Sequence, residues 1–219
     1  MASRPKQAEP RPAPRLYLVT PRLADATAFS AQLAAALAAG DVAAVLLRYA
    51  GADERGLINC AKALAAVVQN NNAALLLDGH AGLVARAGAD GAHLTGMAEF
   101  SAAIERLKPD WIAGAGGLAS RHDAMTAAER GADYVMFGEP DAAGERPGFG
   151  SIEQRIAWWA EVFEAPCVGF AASGDEVAPL VKAGADFVAL GDWVWRDPRT
   201  IAATVAEAAR ALRLPETAA

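Results

Sequence analysis

A three-residue phrase, Gly-Ala-Asp, recurs along the chain and constrains the fold more than any other feature. At residues 88–90, 131–133 and 184–186 it follows an alanine-rich stretch of helical period and precedes a short apolar run. A glycine just past a helix permits the left-handed residue that often ends one, and a short bounded apolar run is typical of a buried strand. The three aspartates are 43 and 53 residues apart, so the spacing predicts a repeating (β/α) architecture.

Eight apolar runs are predicted as strands, and each is followed by a segment of helical period. None of them alternates polar and apolar residues, which is typical of parallel strands that are covered by helices on both faces. Eight such units match an α/β fold of the closed (β/α)8 TIM-barrel type, and an open doubly wound sheet is the alternative. The strands are predicted to begin near Leu16, Ala43, Ala73, Gly91, Trp111, Tyr134, Cys167 and Phe187. The first is predicted to end at Thr20, before Pro21, and the fifth at Ala113. Residues 120–123 have the capping-box spacing that starts a helix.

The chain is predicted to form one domain, since its 219 residues are enough for one well-buried α/β domain and few for two. We expect the barrel to span residues 16–214. Residues 1–15 contain several prolines and few large apolar side chains, so burial cannot offset the entropy lost on ordering, and a disordered tail is predicted. Residues 215–219 are expected to form a flexible C-terminus.

Charge and composition point to a small-molecule ligand. The formal net charge is −6 and the basic residues are scattered, which argues against nucleic acid or a membrane as a partner. The sequence shows neither a membrane-spanning run nor a signal peptide, and Cys60 and Cys167 fit neither a metal site nor a disulfide framework. We therefore expect a cytoplasmic protein with core thiols.

Adjacent indoles at Trp158 and Trp159 leave one ring available to a partner subunit, and a homodimer is the corresponding expectation.

Functional residues are expected at the carboxyl ends of the strands, which we call the barrel mouth, because barrel enzymes carry their chemistry there. The polar or small residues at these positions are Thr20, Arg22, Arg48, Tyr49, Asp78, His80, Thr95, Gly116, Glu139, Ala171, Ala172, Ser173, Gly191 and Asp192.

Five segments in barrel order carry a resemblance to a known family: residues 16–20, 45–48, 77–78, 89–94 and 131–138. Together they resemble the thiamine-phosphate synthase and TenI (thiazole tautomerase) superfamily over about residues 16–195. The resemblance implies an enzyme that joins hydroxymethylpyrimidine pyrophosphate to thiazole phosphate in thiamine biosynthesis. In that reaction Mg²⁺ helps the pyrophosphate to leave, and the thiazole nitrogen attacks the resulting pyrimidine cation.

The resemblance implies a partial pyrophosphate and metal site. The family pattern Val-Gln-Leu-Arg-x-Lys keeps its arginine as Arg48, but its glutamine and lysine positions are Leu46 and Ala50. The family's aspartate at the end of the third strand is Asp78, while its second metal carboxylate is absent, with Glu99 close to the expected place. Mg²⁺ is commonly held by one or two carboxylates and substrate phosphates. A Mg²⁺ site of Asp78, alone or with Glu99, is therefore expected.

Other family positions are also altered. The serine after the fifth strand is Gly116, the lysine of the loop after the sixth strand is replaced by Arg146, and the phosphate-binding Gly-Gly after the seventh strand reads Ala171-Ala172. Asp175, Glu176 and Asp192 add negative charge beside these last positions, which should weaken phosphate binding. The tautomerase histidine corresponds to Ala119, with His122 three residues later.

The candidate site follows from these positions. Catalytic roles are expected for Arg48, Asp78 and Arg146, with Asp78 and Glu99 as metal ligands. Substrate-binding roles are expected for Thr20, Tyr49, Gly116, Glu139, Ala171, Ala172, Ser173, Gly191 and Asp192.

Several residues have a structural alternative. Asp78 is either a ligand or the N-cap of the following turn. Arg48 binds an anion or forms an ion pair with Asp78 or Glu139. His93 is favoured as a hydrogen-bonded core histidine, and a solvated loop is slightly favoured over an acid or base role for Glu139 and Asp141.

Two functions of different class remain open. One is a thiamine-phosphate synthase that is weakened or altered by the missing residues. The other is a non-catalytic or re-purposed barrel that binds a thiamine precursor or another small metabolite, since a fold does not determine a function.

Overall fold

Eight parallel strands close into a barrel in the computed structural model, which describes residues 12–213. The strands are β1 (Arg15–Leu23), β2 (Val42–Tyr49), β3 (Ala74–Asp78), β4 (Gly91–Thr95), β5 (Ile112–Gly116), β6 (Tyr134–Phe137), β7 (Cys167–Ala171) and β8 (Phe187–Leu190). Strands adjacent in sequence pair in parallel, and β8 pairs with β1, so the sheet has no free edge. The predicted TIM barrel is confirmed, and the open doubly wound sheet is wrong.

Helices surround this barrel. Within residues 12–213 the α-helices are α1 (Ser30–Ala39), α2 (Glu54–Gln69), α3 (Val84–Ala87), α4 (Met97–Leu107), α5 (Arg121–Glu129), α6 (Phe149–Val162), α7 (Val177–Ala183) and α8 (Ile201–Ala211). Short 3-10 turns at Ala81–Leu83, Gly174–Glu176 and Asp192–Trp195 precede the third, seventh and eighth of them. At the start of α5, the predicted capping box between Ser120 and Asp123 is present, which satisfies two backbone N–H groups.

The repeated phrase forms helix-to-strand joints, as predicted. Gly88, Gly131 and Gly184 have backbone φ angles of 69°, 97° and 102°, which an L side chain adopts only with strain. Each glycine ends a helix and turns the chain into the next strand. The residue type at these positions is therefore required by the backbone and carries no catalytic information.

Each aspartate of the repeat links two neighbouring strands by hydrogen bonds at their amino ends. Its carboxylate accepts a hydrogen bond from a backbone amide of the preceding strand: Asp90 from Leu75 (2.7 Å), Asp133 from Ala113 (2.7 Å) and Asp186 from Cys167 (2.8 Å). The backbone N–H of the same aspartate donates to the carbonyl of that strand residue at 2.8–3.0 Å. The three aspartates thus join β3 to β4, β5 to β6 and β7 to β8, at the end of the barrel opposite the mouth.

Alternate strand residues point inward and fill the barrel. They form one buried cluster, which contains Tyr17, Val19, Ala44, Leu46, Leu76, Tyr134, Met136, Val168, Phe170 and Ala189. Continued toward the mouth, the same alternation places Arg48 after Leu46 on β2 and Asp78 after Leu76 on β3. Both charged residues therefore occupy inward-facing positions on neighbouring strands.

Strand β5 extends to Gly116, although the sequence predicted that it ends at Ala113. Glycine is unfavourable in strands, yet two inward positions of β5 are glycines because large side chains lie against them. A Cβ on Gly114 would overlap the Tyr134 ring, and a Cβ on Gly116 would overlap Glu139 and His93. The glycines are therefore explained by packing across the barrel, which local propensity does not report.

Strand β1 continues through Pro21 to Leu23, whereas the sequence predicted that it ends at Thr20. The pairing register with β2 shifts between Val19 and Arg22, so the missing N–H of the proline falls at an irregularity. Here the Arg48 amide donates to the hydroxyl of Thr20 at 3.0 Å. Proline is tolerated at such a bulge because no ladder hydrogen bond is lost.

The chain ends are covered only in part. The predicted tail 1–15 lies mostly outside the described residues, as does the predicted flexible C-terminus 215–219. The last residue of that predicted tail, Arg15, begins β1, and its guanidinium binds Asp41 at 2.7 and 2.9 Å. The barrel therefore begins one residue earlier than predicted, and the remainder of these two assignments stays a prediction.

Two features outside the mouth agree with the sequence. Cys60 and Cys167 are both buried, and neither forms a disulfide. Trp159 is fully buried and Trp158 packs only partly, with the Arg121 guanidinium 4.6 Å above its ring. In the part of the chain from 12 to 213, no helix combines the length and apolarity needed to span a membrane.

Candidate active site

Arg48 joins three strands at the barrel mouth. Its Nε donates to the Thr20 carbonyl at 2.6 Å, and its Nη2 forms an ion pair with Asp192, which follows β8. The predicted structural alternatives, an ion pair with Asp78 or with Glu139, are therefore wrong. The arginine side chain is 18% exposed and that of Asp192 is 67% exposed. An ion pair with so exposed a carboxylate is screened by solvent and weak, so a ligand anion can replace Asp192 at little cost.

Tyr49 is turned toward the following helix. Its hydroxyl donates to Asp53 Oδ2 at 3.0 Å, while Asp53 Oδ1 accepts from the Gly56 amide at 2.7 Å and caps α2. A Cβ on Gly56 would overlap the Tyr49 hydroxyl. Tyr49 was predicted to bind substrate, but its polar group is already engaged in this cap.

Asp78 and Glu99 place two carboxylates at the ends of β3 and β4. Asp78 is half-buried at the end of its strand. The Glu99 carboxylate accepts from the Thr95 amide at 3.0 Å and lies so close to Gly79 that a Cβ there would be 2.8 Å from Glu99 Oε1. The N-cap alternative for Asp78 is wrong, because the next turn has His80 at its N-cap and makes no side-chain cap hydrogen bond.

The two carboxylates fit a Mg²⁺ site only in part. No cluster of three or more His, Cys, Asp or Glu side chains suited to a metal occurs among the described residues 12–213. In the same part of the chain the Asp78 carboxylate accepts no hydrogen bond, whereas one oxygen of Glu99 is held by Thr95. A cation that takes few protein ligands and completes its shell with water and substrate phosphate matches this donor set.

Three buried side chains and the partly exposed Glu139 form a hydrogen-bonded chain that crosses the barrel. The Tyr17 and Tyr134 hydroxyls lie 2.9 Å apart, the Tyr134 hydroxyl lies 2.9 Å from His93 Nδ1, and His93 Nε2 lies 2.9 Å from Glu139 Oε2. The rings of His93 and Tyr134 stack at 5.7 Å. The predicted hydrogen-bonded core position of His93, which is 1% exposed, is confirmed. The chain also connects the barrel interior to the mouth through Glu139.

The predicted solvated-loop interpretation of Glu139 is wrong, because its side chain is only 15% exposed and binds His93. Its second oxygen, Oε1, is buried without a hydrogen-bond partner among the described residues. Asp141 does belong to an exposed loop, where its carboxylate accepts from the Ala143 and Glu145 amides at 2.9 Å each. Only Glu139 of this pair therefore reaches the site.

Burial and neighbouring carboxylates shift the pKa values of this chain. Burial raises the pKa of Tyr17 and of Tyr134 well above the usual phenol range, so both stay protonated. Burial alone would lower the pKa of His93, but the charge and hydrogen bond of Glu139, with the charges of Asp78 and Glu99, outweigh it and raise that pKa. His93 thus holds its positive charge at a higher pH than a free histidine.

We expect Glu139→Gln to lower the free energy of unfolding more at pH 6 than at pH 9. Because the folded-state pKa of His93 is raised, its ion pair stabilises fully below the unfolded value of about 6.5 and is lost as pH rises through the folded value. Urea unfolding of both proteins across this range measures the difference. Glu105→Gln, at an exposed position of α4, is the matched control. A destabilisation that is equal at all pH values, or larger at pH 9, contradicts the expectation.

Arg146, from the loop after β6, meets the end of β7. Its Nη1 binds both oxygens of Glu176 at 2.9 and 3.2 Å, and Glu176 Oε2 also accepts from the Ala172 amide at 2.7 Å. Ser173, a predicted substrate-binding residue, stands at the N-cap of the following turn and makes no side-chain cap hydrogen bond. Glu176, noted in the sequence only for its charge, is thus a central contact of this region.

Gly191 follows β8 and lies against β7. A Cβ on Gly191 would be 2.7 Å from the Phe170 ring. The indole N–H of Trp193 donates to the Ala171 carbonyl at 3.0 Å, so the ends of β7 and β8 are held together. A cleft of about 340 Å³ opens beside this region, lined by residues that include Gly117, Met136, Glu139, Arg146 and Arg155.

Most of the predicted site residues lie at the barrel mouth. Several of them form hydrogen bonds or ion pairs with one another, as Arg48 does with Thr20 and Asp192. Residues that the sequence interpretation missed are Tyr17, Tyr134 and Glu176. The two tyrosines carry one usable signal, since both stand at the first inward position of an apolar strand, where an aromatic hydroxyl needs a partner. Glu176 carries no such signal, because its role depends on an arginine 30 residues away.

Comparisons with known proteins agree with this fold and identify a family. The family model described as thiamine monophosphate synthase matches residues 16–193. A protein of Rhodospirillum centenum named thiamine-phosphate synthase is 41% identical over 203 residues, which cover 91% of this chain and 98% of that protein. One of Hyphomonas neptunium with the same name is 39% identical, covering 90% of this chain and 93% of that protein.

A solved structure supports the fold alone. The thiamine phosphate pyrophosphorylase from Pyrococcus furiosus superposes with a TM-score of 0.75 at 22% identity, covering 90% of this chain and 95% of that one. The resemblance drawn from the five segments is thus confirmed over nearly the same residues. From the extent of the family match and the full-length relatives, the chain belongs to the thiamine monophosphate synthase family.

Proposed function

We propose that this protein is a thiamine-phosphate synthase, a transferase that couples hydroxymethylpyrimidine pyrophosphate with thiazole phosphate in thiamine biosynthesis. The observation that carries the proposal is the 41% identity to a synthase-named relative along almost the whole of both chains. A guanidinium on β2 and carboxylates at the ends of β3 and β4, all at one barrel mouth, support it. These are groups that a pyrophosphate substrate with a divalent cation requires.

Arg48 is proposed to bind the pyrophosphate. Its inward-facing position and its weak pairing with exposed Asp192 leave the guanidinium available to a more highly charged partner, and arginine binds phosphate oxygens in a fixed fork. Thr20 holds the Arg48 amide and, through its carbonyl, the Arg48 Nε. Thr20 therefore orients the guanidinium, while Asp192 keeps it in place before substrate arrives.

Asp78 with Glu99 would hold Mg²⁺. A bound Mg²⁺ would supply neutralisation of charge on the departing pyrophosphate. The protein's own contribution is to place the two carboxylates at neighbouring strand ends, with Glu99 fixed by the Thr95 amide. Pyrophosphate leaves when the bond from the pyrimidine methylene to its oxygen breaks, and the thiazole nitrogen then attacks the resulting pyrimidine cation to form the carbon–nitrogen bond.

The remaining proposed substrate contacts divide between two sides of the mouth. The pyrimidine side would be lined by Gly116, Glu139 and Tyr49. The polar atom available there is Glu139 Oε1, which has no hydrogen-bond partner among the described residues. The thiazole phosphate side would be lined by Arg146, from the loop after β6, and by Ala171, Ala172, Ser173 and Gly191. Besides Arg146, the hydrogen-bond donors on this side would be the backbone amides after β7, because Ala171, Ala172 and Ser173 have no charged side chain.

A second function is favoured by one observation. Glu176 occupies the Ala172 amide and Arg146, which are donors that a phosphate ligand needs. This arrangement suits a non-catalytic or re-purposed barrel that binds a thiamine precursor or another small metabolite in a different way. Formation of thiamine phosphate from the two precursors would distinguish the synthase from the binding function.

Thermal melting with and without ligands, together with a coupling assay, tests the proposal. We expect the pyrimidine pyrophosphate to raise the melting temperature more when Mg²⁺ is present, since a ligand at a hundred times its Kd adds about 2.7 kcal/mol of stability. Asp78→Asn should remove the Mg²⁺-dependent part of this increase. Asp110→Asn, an exposed residue between α4 and β5, should not.

The outcomes are distinct. Stabilisation with formation of thiamine phosphate, detected by mass spectrometry, supports the synthase. Stabilisation without any product supports the binding function instead. An absence of stabilisation by either precursor at millimolar concentration overturns the synthase and the binding of a thiamine precursor, and leaves only another small metabolite as the ligand.

We further propose that the protein acts in the cytoplasm on small-molecule substrates and forms a homodimer. The two cysteines, which are buried and form no disulfide, support a reducing compartment. The half-buried Trp158 and the 58% exposed Val162, both on α6, support a subunit contact at that helix. Sedimentation of the full chain measures the oligomeric state.

A further inference from the structure

A bulge in β1 decides which residue of that strand stands opposite Arg48. The pairing register with β2 matches Val19 with Leu46 and then Arg22 with Arg48, so β1 advances by three residues where β2 advances by two. One extra residue in a strand reverses the facing of every residue that follows it. Without the bulge, Pro21 rather than Arg22 would be the register partner of Arg48.

The residue after Arg22 shows which way the arginine points. Leu23 is buried in the core between the barrel and its helices, and its register partner Tyr49 packs against the same core. Successive residues of a strand point to opposite faces, so Arg22 points into the barrel mouth, on the same side as Arg48. Arg22 is exposed there, and a ligand in the mouth can therefore reach it.

Arg22 has no counter-charge of its own. Within residues 12–213 its guanidinium forms no hydrogen bond or ion pair with the protein, whereas that of Arg48 is held by Thr20 and Asp192. Like charges on directly opposite residues of neighbouring strands repel each other, and Asp192 neutralises only one of the two. An anion that contacts both guanidinium groups would remove this repulsion.

A pyrophosphate group suits this pair of arginines. Arginine binds phosphate oxygens through two parallel N–H groups, so two neighbouring guanidinium groups offer one fork to each of two linked phosphates. Ala50, where the family resemblance places a lysine, lies beside them, because its N–H donates to the Leu23 carbonyl at 2.8 Å. A cation on β1 therefore stands next to the place on β2 that lacks one.

We propose that Arg22 binds the pyrophosphate of the substrate together with Arg48, and that it replaces the cation missing at Ala50. The bulge at Pro21 is then what makes Arg22 a substrate-binding residue, since it turns the side chain into the mouth. The identity of the pyrophosphate as that of the hydroxymethylpyrimidine rests on the proposed function. The affinity of the two arginines for pyrophosphate itself does not.

Isothermal titration calorimetry of the full chain with inorganic pyrophosphate, at a fixed Mg²⁺ concentration, tests this inference. We expect Arg22→Gln to bind pyrophosphate about tenfold more weakly than the unaltered protein, a difference of about 1.4 kcal/mol. Arg55→Gln is the matched control, because it removes the same charge from an exposed position in the first turn of α2. The affinity of this control should stay within about twofold of that of the unaltered protein.

A second variant makes the result specific to a cation at this place. Ala50 is exposed, so Ala50→Lys can be added to Arg22→Gln, where it supplies a positive charge from the neighbouring strand. We expect it to restore most of the lost affinity, a rescue that a merely structural role of Arg22 does not predict. If the unaltered protein binds no pyrophosphate at millimolar concentration, or if Arg22→Gln binds it as tightly as Arg55→Gln does, the inference is overturned.

The proposed function and this inference fail separately. Weaker pyrophosphate binding by Arg22→Gln, in a protein that makes no thiamine phosphate, overturns the synthase and supports the role of Arg22. Coupling by the unaltered protein, with a pyrophosphate affinity that Arg22→Gln leaves unchanged, supports the synthase and overturns the role of Arg22.

Discussion

Coupling of the two thiamine precursors by the purified protein is expected to be about 10⁴-fold slower than by an enzyme with the complete family site. Preorganised donors around developing charge contribute about 2.7–4 kcal/mol each. Leu46, Ala50 and Gly116 stand where the family resemblance places a glutamine, a lysine and a serine, and none of them supplies a donor side chain. At about 1.36 kcal/mol per tenfold in rate, the loss of two donors accounts for a factor of about 10⁴, allowing for non-additivity.

Single-turnover kinetics with excess protein, both precursors and Mg²⁺ measure this rate directly. A turnover of about 1 s⁻¹ or more, as in ordinary enzymes, contradicts the expectation. The converse experiment is Leu46→Gln with Ala50→Lys, which should raise the rate if phosphate still binds at the end of β7. Leu46 is buried among apolar side chains, so circular dichroism of this variant must show that it folds, because an unpaired buried amide costs about 1–3 kcal/mol.

Gly116→Ser is expected to destabilise the protein by about 1–3 kcal/mol, the usual cost of overpacking a closely packed interior, although it restores the family's residue type. A Cβ at this position would overlap Glu139 Oε1 and His93 Nε2. The serine must therefore push Glu139 away from His93 or distort β5. Urea unfolding measures the loss of stability.

A double-mutant cycle tests the cause. In a Glu139→Ala background the obstructing carboxylate is absent, so Gly116→Ser should cost less than it does in the unaltered protein. Gly148→Ser is the matched control, because a Cβ there has nothing within 4 Å and serine is a favourable N-cap for α6. Equal costs of Gly116→Ser in both backgrounds would show that Glu139 is not the obstacle.

The fold was predictable because its signals are local. Every strand begins within one residue of the predicted position, since each strand after β1 follows a helix that ends in a recognisable glycine, asparagine or proline signal. The errors lie at strand ends, where packing across the barrel overrides local propensity. Gly114 and Gly116 read as a loop, but they belong to β5 because Tyr134 and Glu139 occupy the space of their side chains.

The site was less predictable because its contacts join distant parts of the chain. Arg48 could be recognised as a mouth residue from the alternation along β2, but its partner Asp192 lies 144 residues away. Tyr17 and Tyr134 are 117 residues apart and meet only because β1 and β6 face each other inside the closed barrel. Strand periodicity indicates that a side chain points inward and does not indicate which group it meets.

The aspartates of the Gly-Ala-Asp joints explain how side chains at the barrel mouth can be substituted while the fold is kept. Each carboxylate binds a backbone amide, a group that is present whatever side chain the neighbouring strand carries. These ties lie at the amino ends of the strands, and conservation of shape at that end of a barrel serves stability. Side chains at the opposite end, such as Leu46 and Ala50 where the family resemblance places a glutamine and a lysine, can therefore differ while the frame stays intact. The barrel is free to exchange one ligand for another over evolutionary time without first losing its fold.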